Sequence, residues 1–371
     1  MTPRDVEVFD SLEALPQGAR DLWQREESRL QFDQTLDWSK LLTEHAAEAG
    51  ERVRIVIARD DAGRCVGLLP LKTVAAEGGM GLRGARALAN YYSSLFAPIV
   101  SSDVADPDAV LRALLQRVAA FDPPVDALDL NPLSSCGTDL PRGPVVDATT
   151  IARALEQRGW SPETYFRFGN WYLDVGGRTY DAYFEGLSSQ LKNTVRRKEK
   201  KLLALPGATI GIARTPDEAE RALRDYQTIY AASWKVPEPH PNFIPSLVRH
   251  LARGGTLRMG WVRIGDDPAA AQIWAVKDGI ASIFKLAYDE RFQQVSAGSV
   301  LTSHLMRHVI DTDRVRVVDY LSGDDSYKRD WMSHRQERVG VRAYRRSSWR
   351  GQLAILSSRA KRIVRPMLRR G

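Results

Sequence analysis

The chain is poor in cysteine and has no long apolar run. Its 371 residues include two cysteines, Cys65 and Cys136, too few for a disulfide framework and without the spacing of a metal site. No segment approaches the ~20 apolar residues that span a membrane, and the first residues carry acidic groups where a secretory signal has its apolar centre. We therefore expect a cytoplasmic protein that is not integral to the membrane.

Several common catalytic motifs are also missing. There is no G-x-S-x-G elbow, Walker loop or dinucleotide fingerprint. His304 and His308 stand four residues apart, as zinc ligands often do, but no glutamate follows His304 and no third ligand is placed nearby. We interpret both as histidines of a helix surface and expect no metal.

Positive charge is concentrated at one end of the chain. The formal net charge is +7, yet residues 342–371 contain ten Arg or Lys and no Asp or Glu, which leaves the first 341 residues at −3. Nucleic-acid binding would need basic residues spread over a folded face, so we do not expect it.

The basic tail, residues 346–371, has an apolar periodicity. On a helix, one side would gather Leu353, Leu356, Ala360, Ile363, Val364 and Met367. Such a segment can lie on an anionic leaflet, which would place the protein at the inner face of the membrane. A disordered, solubilising tail is the alternative.

Two segments recur in the same order. A capped helix at 37–50 followed by a strand–turn–strand pattern reappears 205 residues later, and the helix and strand of 109–130 reappear 190 residues later, at 299–320. At 43% hydrophobic, the chain can bury more than one core. We predict an α+β fold of two similar domains, each a mixed, mainly antiparallel sheet covered by helices, at residues 1–148 and 149–345.

A strand ending at Tyr288 runs into the loop ERFQQVSAGSVL, which resembles a phosphate cradle. Gln293, Ser296 and Gly298 fit the acyltransferase spacing Q-x-x-G-x-G/A, with serine replacing the first glycine. Backbone N–H groups at the following helix N-terminus would face a pyrophosphate. An ordinary helix capped by Ser296 or Ser299 is the alternative. The equivalent loop of the first half is acidic, which predicts that only the second half keeps the cradle.

Upstream, the helix in SSQLKNTVRRKEKKLLAL carries six basic residues against Glu199 alone. A solvated charged face and a face for an anionic ligand are both open interpretations.

The stretch from Leu286 to Trp331 resembles the acetyltransferase domain of the FemAB-like and CelD-like branch of the GNAT superfamily. That branch shows YDE, then SPG, then a strand ending in G-D and Y-K; this chain has Ala297 where proline is common. The similarity extends to the basic helix, to Ser233-Trp234-Lys235 and to Asn90-Tyr91-Tyr92-Ser93-Ser94. It implies an enzyme that uses acetyl-CoA or another acyl-CoA as co-substrate.

The resemblance and the residues together suggest a site. Cofactor binding is expected at Tyr288, Gln293, Ser296, Ala297, Gly298 and Ser299. Catalytic roles are expected for Asp289, Asp324, Tyr327 and Lys328. Acceptor binding is expected at Trp234, Lys235 and Lys328, the last matching a lysine that FemAB-like enzymes direct at acceptor phosphate. Each aspartate could instead be a turn residue, and the aromatic residues could be core.

The resulting hypothesis is an N-acyltransferase that acylates an amine of a sugar, lipid or amino-acid-derived acceptor, small or lipid-linked, in polysaccharide or cell-envelope synthesis. Transfer from aminoacyl-tRNA is a second hypothesis, although no charged heptad stretch is long enough for the helical arm that such enzymes often carry. A catalytically degenerate scaffold of an exopolysaccharide assembly is a third.

Overall fold

The computed structural model describes residues 5–77, 81–136, 138–139, 143–144, 146–233 and 236–367. The strands are β1 Asp5–Phe9, β2 Arg52–Arg59, β3 Cys65–Glu77, β4 Leu82–Ala87, β5 Ile99–Val100, β6 Ala127–Ser134, β7 Thr138–Asp139, β8 Gly143–Pro144, β9 Trp160–Asp174, β10 Ala208–Ala213, β11 Leu257–Ile264, β12 Asp267–Lys277, β13 Ile280–Tyr288, β14 Val317–Asp319 and β15 His334–Arg345. The α-helices are α1 Gln17–Glu26, α2 Leu36–His45, α3 Pro107–Ala119, α4 Ala148–Glu156, α5 Tyr180–Glu185, α6 Ser189–Leu203, α7 Pro216–Ala232, α8 Phe243–Arg253, α9 Ala297–Arg307, α10 Ser326–Trp331 and α11 Trp349–Met367.

The chain forms two compact units. The first unit contains residues 1–168 and 337–371, and the second contains residues 169–336.

A mixed sheet forms the first unit, with the hydrogen-bonded order β1-β2-β3-β4-β6-β15. β4 and β6 run parallel, and the other neighbours are antiparallel. Helix α3 buries Val110 and Leu114, and α4 buries Ile151 and Leu155, in one core with Trp160 of β9. The apolar residues of both helices recur at helical spacing, which is why one face of each is buried.

The second unit repeats this plan, with the order β10-β11-β12-β13-β14-β9. Only β13 and β14 are parallel, and α9 lies between them in sequence. Helix α9 packs closely on β11, because a Cβ built at Gly260 would lie 2.7 Å from Leu305 Cδ1. Leu301 and Leu305 are completely buried there.

The predicted fold class is confirmed. The first recurrence corresponds to α2 with the β2–β3 hairpin and to α8 with the β11–β12 hairpin. The second corresponds to α3 with β6 and to α9 with β14, where each strand joins its sheet by a parallel pairing. The two halves therefore share one topology.

The units divide at other residues than the predicted boundaries of 148 and 345. Helix α4 and the first part of β9 belong to the first unit, because their apolar side chains fill its core. Residues 337–345 also belong to it, because this part of β15 pairs antiparallel with β6. The sheet of the first unit ends at β15 and that of the second unit ends at β9. Both strands lie outside the segments that recur in the sequence, so the recurrences do not reveal how these strands pair.

The basic tail is helical from Trp349 to Met367 and belongs to the first unit. In the part of the chain that the structure describes, no helix combines the length and apolar character needed to cross a bilayer.

Close packing at Gly340 gives a test of the β9–β15 region of the first unit. A Cβ at Gly340 would lie 2.3 Å from Tyr165 Cζ, and the Tyr165 hydroxyl is held by a 2.5 Å hydrogen bond to Asp129 Oδ1. We expect Gly340→Ala to lower the free energy of unfolding by about 1–3 kcal/mol through overpacking. Gly18→Ala is the control, since nothing lies within 4 Å of the added Cβ there. Equal urea midpoints for the two variants would contradict this packing.

Candidate active site

The loop between β13 and α9, together with the first two residues of α9, is hereafter the cradle loop, residues 289–298. Asp289 opens it: its carboxylate accepts hydrogen bonds from Arg291 N at 2.9 Å and from Arg291 Nε at 2.8 Å. The Arg291 guanidinium lowers the pKa of this carboxyl. Asp289, predicted to be catalytic, therefore caps the short 3-10 helical segment of residues 290–295 in this structure.

Ser296 turns the chain into α9. Its φ of 50° and ψ of 48° are left-handed, a conformation that glycine adopts with least strain. This accounts for the glycine that the acyltransferase spacing places here. Ala297 is buried. A Cβ added at Gly298 would have room, because its nearest neighbour, the Tyr288 side chain, would be 3.8 Å away. The Gln293 side chain is exposed, and the backbone carbonyl of Gln293 accepts a hydrogen bond from Ser296 N at 3.0 Å.

Gln272, which the sequence analysis did not single out, connects the first turn of α9 to the sheet. Gln272 is buried on β12, and its Nε2 donates to Gly298 O and to Thr302 Oγ1, both at 2.9 Å. Trp274 Nε1 in turn donates to Gln272 Oε1 at 2.9 Å. The sequence feature that could have identified Gln272 is a single amide side chain within the apolar strand AAQIWAV, because a buried polar group needs a hydrogen-bond partner.

Helix α6 places positive charge against the cradle loop. Lys198 Nζ donates to Gln294 O at 2.6 Å, and Lys201 Nζ lies 3.5 Å from Gln294 Oε1. The helix N-terminus and these ammonium groups act in the same sense, because both favour an anion at the loop.

The paired histidines of α9 and the following turn have separate partners. His304 Nε2 lies 2.6 Å from Glu199 Oε1 of α6. His308 Nε2 is 3.7 Å from an Asp313 oxygen, and burial lowers the pKa of His308. The two imidazoles therefore contact different carboxylates, and His308 is mostly buried.

The second predicted segment, Gly323 to Lys328, follows β14, and we call it the GDDSYK loop. Gly323 has a φ of 102°, which only glycine adopts readily. The Lys328 side chain is 5% exposed, and its Nζ donates to Ser322 O at 2.5 Å and lies 3.4 Å from Asp325 Oδ2. Burial lowers the pKa of Lys328. This geometry turns the ammonium into the loop, which it supports through the Ser322 carbonyl.

The Asp324 carboxylate is also held by hydrogen bonds within the second unit. It accepts from Arg335 Nη2 at 2.6 Å and from Trp171 Nε1 at 2.7 Å. The hydrogen bonds from Arg335 and Trp171 lower the pKa of Asp324 to about 2. A carboxylate with so low a pKa is a weak base near neutral pH. Its geometry favours a structural role in the second unit.

Two tyrosines remain partly open to solvent. Tyr288 and Tyr327 are each 44% exposed, and the Tyr327 ring packs edge-on against Tyr320 with centroids 5.8 Å apart. Packing around Tyr327, with smaller effects of Asp325 and Tyr288, raises its pKa to about 12. Tyr327 therefore keeps its proton throughout the physiological range.

Strand pairing brings the two loops to one edge of the sheet. β13 and β14 are parallel, and they pair only from Ile280↔Val317 to Ser282↔Asp319. The cradle loop follows the carboxyl end of β13 and the GDDSYK loop follows that of β14, the edge where ligands bind in sheets with parallel strands. Tyr288, at the end of β13, is near enough to Tyr327 to contribute to its raised pKa, so the two segments approach each other at these tyrosines. Trp234 and Lys235 lie outside the described residues.

The corresponding helix of the first unit, α3, begins differently. The Asp106 carboxylate accepts from Ala109 N at 2.9 Å and so caps the helix itself. Glu26 Oε1 accepts from both N and Oγ of Ser102 at 3.0 Å in the preceding loop. Carboxylates at these positions repel phosphate, as the acidic sequence of this loop suggested.

Comparisons with known proteins agree with this topology. Residues 189–329 match the family model of an acetyltransferase (GNAT) domain. The crystal structure of FemX aligns over 91% of this chain and 97% of its own, with a TM-score of 0.62 and 10% identity. A tandem GNAT protein from the clavulanic acid biosynthesis pathway aligns over 91% and 98%, with a TM-score of 0.50 and 14% identity.

A third similar structure is the C-terminal domain of a putative lysylphosphatidylglycerol synthetase from Agrobacterium fabrum, which aligns over 92% of this chain and 96% of its own, with a TM-score of 0.50 and 10% identity. No curated protein sequence matches the chain. At such identities the structural likeness is one of fold.

The lysines against the cradle loop can be tested with pyrophosphate-bearing ligands. We expect Lys198→Ala/Lys201→Ala to raise the Kd of CoA about fivefold and to reduce its salt dependence, because two partly exposed cations are lost. The matched control on the same helix is Lys192→Ala/Arg196→Ala, whose side chains pair with Glu185. Calorimetric titration at low and high salt measures both. Equal Kd values for the two double variants would contradict the placement.

Proposed function

We propose that this chain, whose residues 189–329 match the model of an acetyltransferase (GNAT) domain, transfers an acyl group from acyl-CoA to an amine. The observation that supports the proposal is that the cradle loop and the GDDSYK loop follow two parallel neighbouring strands, β13 and β14, and that Tyr288 is close enough to Tyr327 to affect its pKa. One loop has the features that bind a pyrophosphate, and the other carries an exposed phenol that can donate a proton. The acceptor we propose is an amine of a sugar, lipid or amino-acid-derived molecule of the cell envelope.

The donor assignment is supported by three features of the cradle loop. Small residues at 297 and 298 let a ligand approach the backbone of the first helical turn, whose N–H groups point outward. Gln272 fixes that turn through the Gly298 carbonyl. Lys198 and Lys201 add positive charge beside it. A pyrophosphate carries two or more negative charges, which this arrangement neutralises.

Direct transfer requires no covalent enzyme intermediate. The neutral amine attacks the thioester carbonyl carbon, the C–N bond forms, the C–S bond breaks, and the thiolate leaves with a proton. Holding both substrates in one complex supplies much of the rate enhancement. In this proposal Tyr327, which is protonated and partly exposed, gives its proton to the departing thiolate and regains one from the attacking nitrogen, so that the protons balance. Asp324 and Lys328 hold the loop that presents Tyr327.

An aminoacyl-tRNA donor is the competing proposal, because the chain aligns with FemX over most of its length. The two donors differ in what the cradle loop must recognise. Acetyl-CoA presents a pyrophosphate at one end of the pantetheine arm that carries its thioester at the other, whereas tRNA presents single phosphates on a long backbone. Binding measurements with acetyl-CoA and with uncharged tRNA therefore separate them.

The cradle loop is tested by placing an anion in it. Because the Cβ of residue 298 has room, Gly298→Glu should fold normally and yet lose acetyl-CoA binding, since its carboxylate would occupy the pyrophosphate position. Thermal shift measures both properties, because a ligand that binds the folded state raises Tm. Gly298→Ala and, in the first unit, Asp106→Asn are controls that should bind as the wild type does. Unchanged acetyl-CoA affinity in Gly298→Glu would exclude the site, and a shift with tRNA alone would favour the competing donor.

Tyr327 is tested against its supporting residues. We expect Tyr327→Phe to lower kcat by about 10²- to 10⁴-fold, the usual loss for a removed proton donor, with Tm and acetyl-CoA affinity unchanged. Asp324→Asn and Lys328→Ala should instead lower Tm, because each breaks the contacts that hold the loop. Steady-state kinetics are measured beside Tm and Kd. A normal kcat of Tyr327→Phe would exclude Tyr327 as the proton donor. Normal turnover in all three variants would show that the GDDSYK loop is not part of the active site.

A further inference from the structure

Helix α11 is attached to the first unit by one face. A Cβ at Gly351 would lie 2.2 Å from Arg345 O, so only glycine permits this approach. Ala354 is buried, and Ser358 Oγ donates to a carboxylate oxygen of Glu163. At about 100° per residue, positions 351, 354 and 358 share one side of the helix.

The opposite side of α11 is apolar and open. Trp349, Leu353 and Leu356 are 64%, 45% and 61% exposed. They fall within about 60° of one another around the helix axis, on the side away from the attached face. We call these three residues the apolar stripe. Elsewhere, large exposed apolar side chains of the described residues are spread over other elements, as is normal for a protein surface.

Basic residues flank the apolar stripe. The Arg350 guanidinium lies over the Trp349 ring, 4.9 Å from its centroid, and Arg359 is exposed. By helical position, residues 350 and 359 fall on the two sides of the stripe. The segment 342–371 has ten basic residues and no acidic one. An apolar stripe between cations is the arrangement with which amphipathic helices lie in a membrane interface.

We propose that α11 docks the first unit onto an anionic lipid bilayer. Charge complementarity selects this occupant: the helix is strongly basic, so a second copy of the same face would be repelled, whereas an anionic leaflet attracts each cation. The partly open apolar side chains insert at the boundary between headgroups and acyl chains, and the attached face stays on the protein. The proposal does not depend on which donor or acceptor the second unit uses.

Vesicle flotation of the full-length protein tests the proposal. We expect binding to vesicles of equimolar phosphatidylcholine and phosphatidylglycerol, weak binding to phosphatidylcholine alone, and weaker binding as salt rises. Leu353→Glu/Leu356→Glu should lower the partition coefficient at least about tenfold, and Arg350→Ala and Arg359→Ala about fivefold each. Both leucines are exposed, so we expect these variants to fold, and a Tm close to that of the wild type would confirm it.

Leu203→Glu/Val236→Glu is the matched control, because Leu203 and Val236 are 53% and 82% exposed in the second unit and the double variant gains the same charge. It should bind vesicles as the wild type does. Partition of Leu353→Glu/Leu356→Glu equal to that of the control would overturn the proposal, as would equal binding to neutral and anionic vesicles. Molar mass in the absence of lipid is measured by light scattering: a wild-type dimer that the double variant converts to a monomer would identify the stripe as a self-association surface instead.

Discussion

The short parallel pairing of β13 with β14 is the constraint on which the candidate site depends. Three residues of each strand are paired, and beyond them the carboxyl ends lead into the cradle loop and the GDDSYK loop. A parallel pairing needs a crossover, and α9 provides it. The helix that closes the sheet is therefore also the helix whose N-terminus faces the proposed donor. Fold and site are thus built from the same element, and α9 cannot shift without moving the cradle loop.

Buried polar groups fix this edge of the second unit. Gln272 holds the Gly298 carbonyl, Lys328 holds the carbonyls of its own loop, and Asp324 joins Arg335 and Trp171. Gln272 and Lys328 are buried, which costs free energy that these hydrogen bonds offset, whereas Asp324 is exposed and held by its ion pair. Lys328 and Asp324 thus hold the loop that carries Tyr327. All three residues were expected to be catalytic, and of these Tyr327 is the one whose side chain is left partly exposed and without an ion pair in our proposal.

The two units share a topology but differ in what their sheet edges offer. In the first unit Asp106 caps the helix that corresponds to α9, whereas in the second the cradle loop has small residues and neighbouring lysines. The first unit carries α11 instead, with its apolar stripe. We infer a division of labour, in which the second unit performs the transfer and the first positions the protein. A lipid-linked acceptor would make use of both.

The sequence by itself determined the features that depend on nearby residues: two similar halves, their hairpins, the position of the cradle loop and the basic apolar periodicity of the tail. Helix and strand patterns, turns and caps are local, so a single sequence shows them. Tertiary structure decided which strand completes each unit, and that Lys328 points inward and Asp324 is an ion-pair partner. Trp171 and Asp324 are 153 residues apart in the chain. Contacts of such separation leave no periodicity in the sequence, because they are set by how strands pair and which side chains the packing buries.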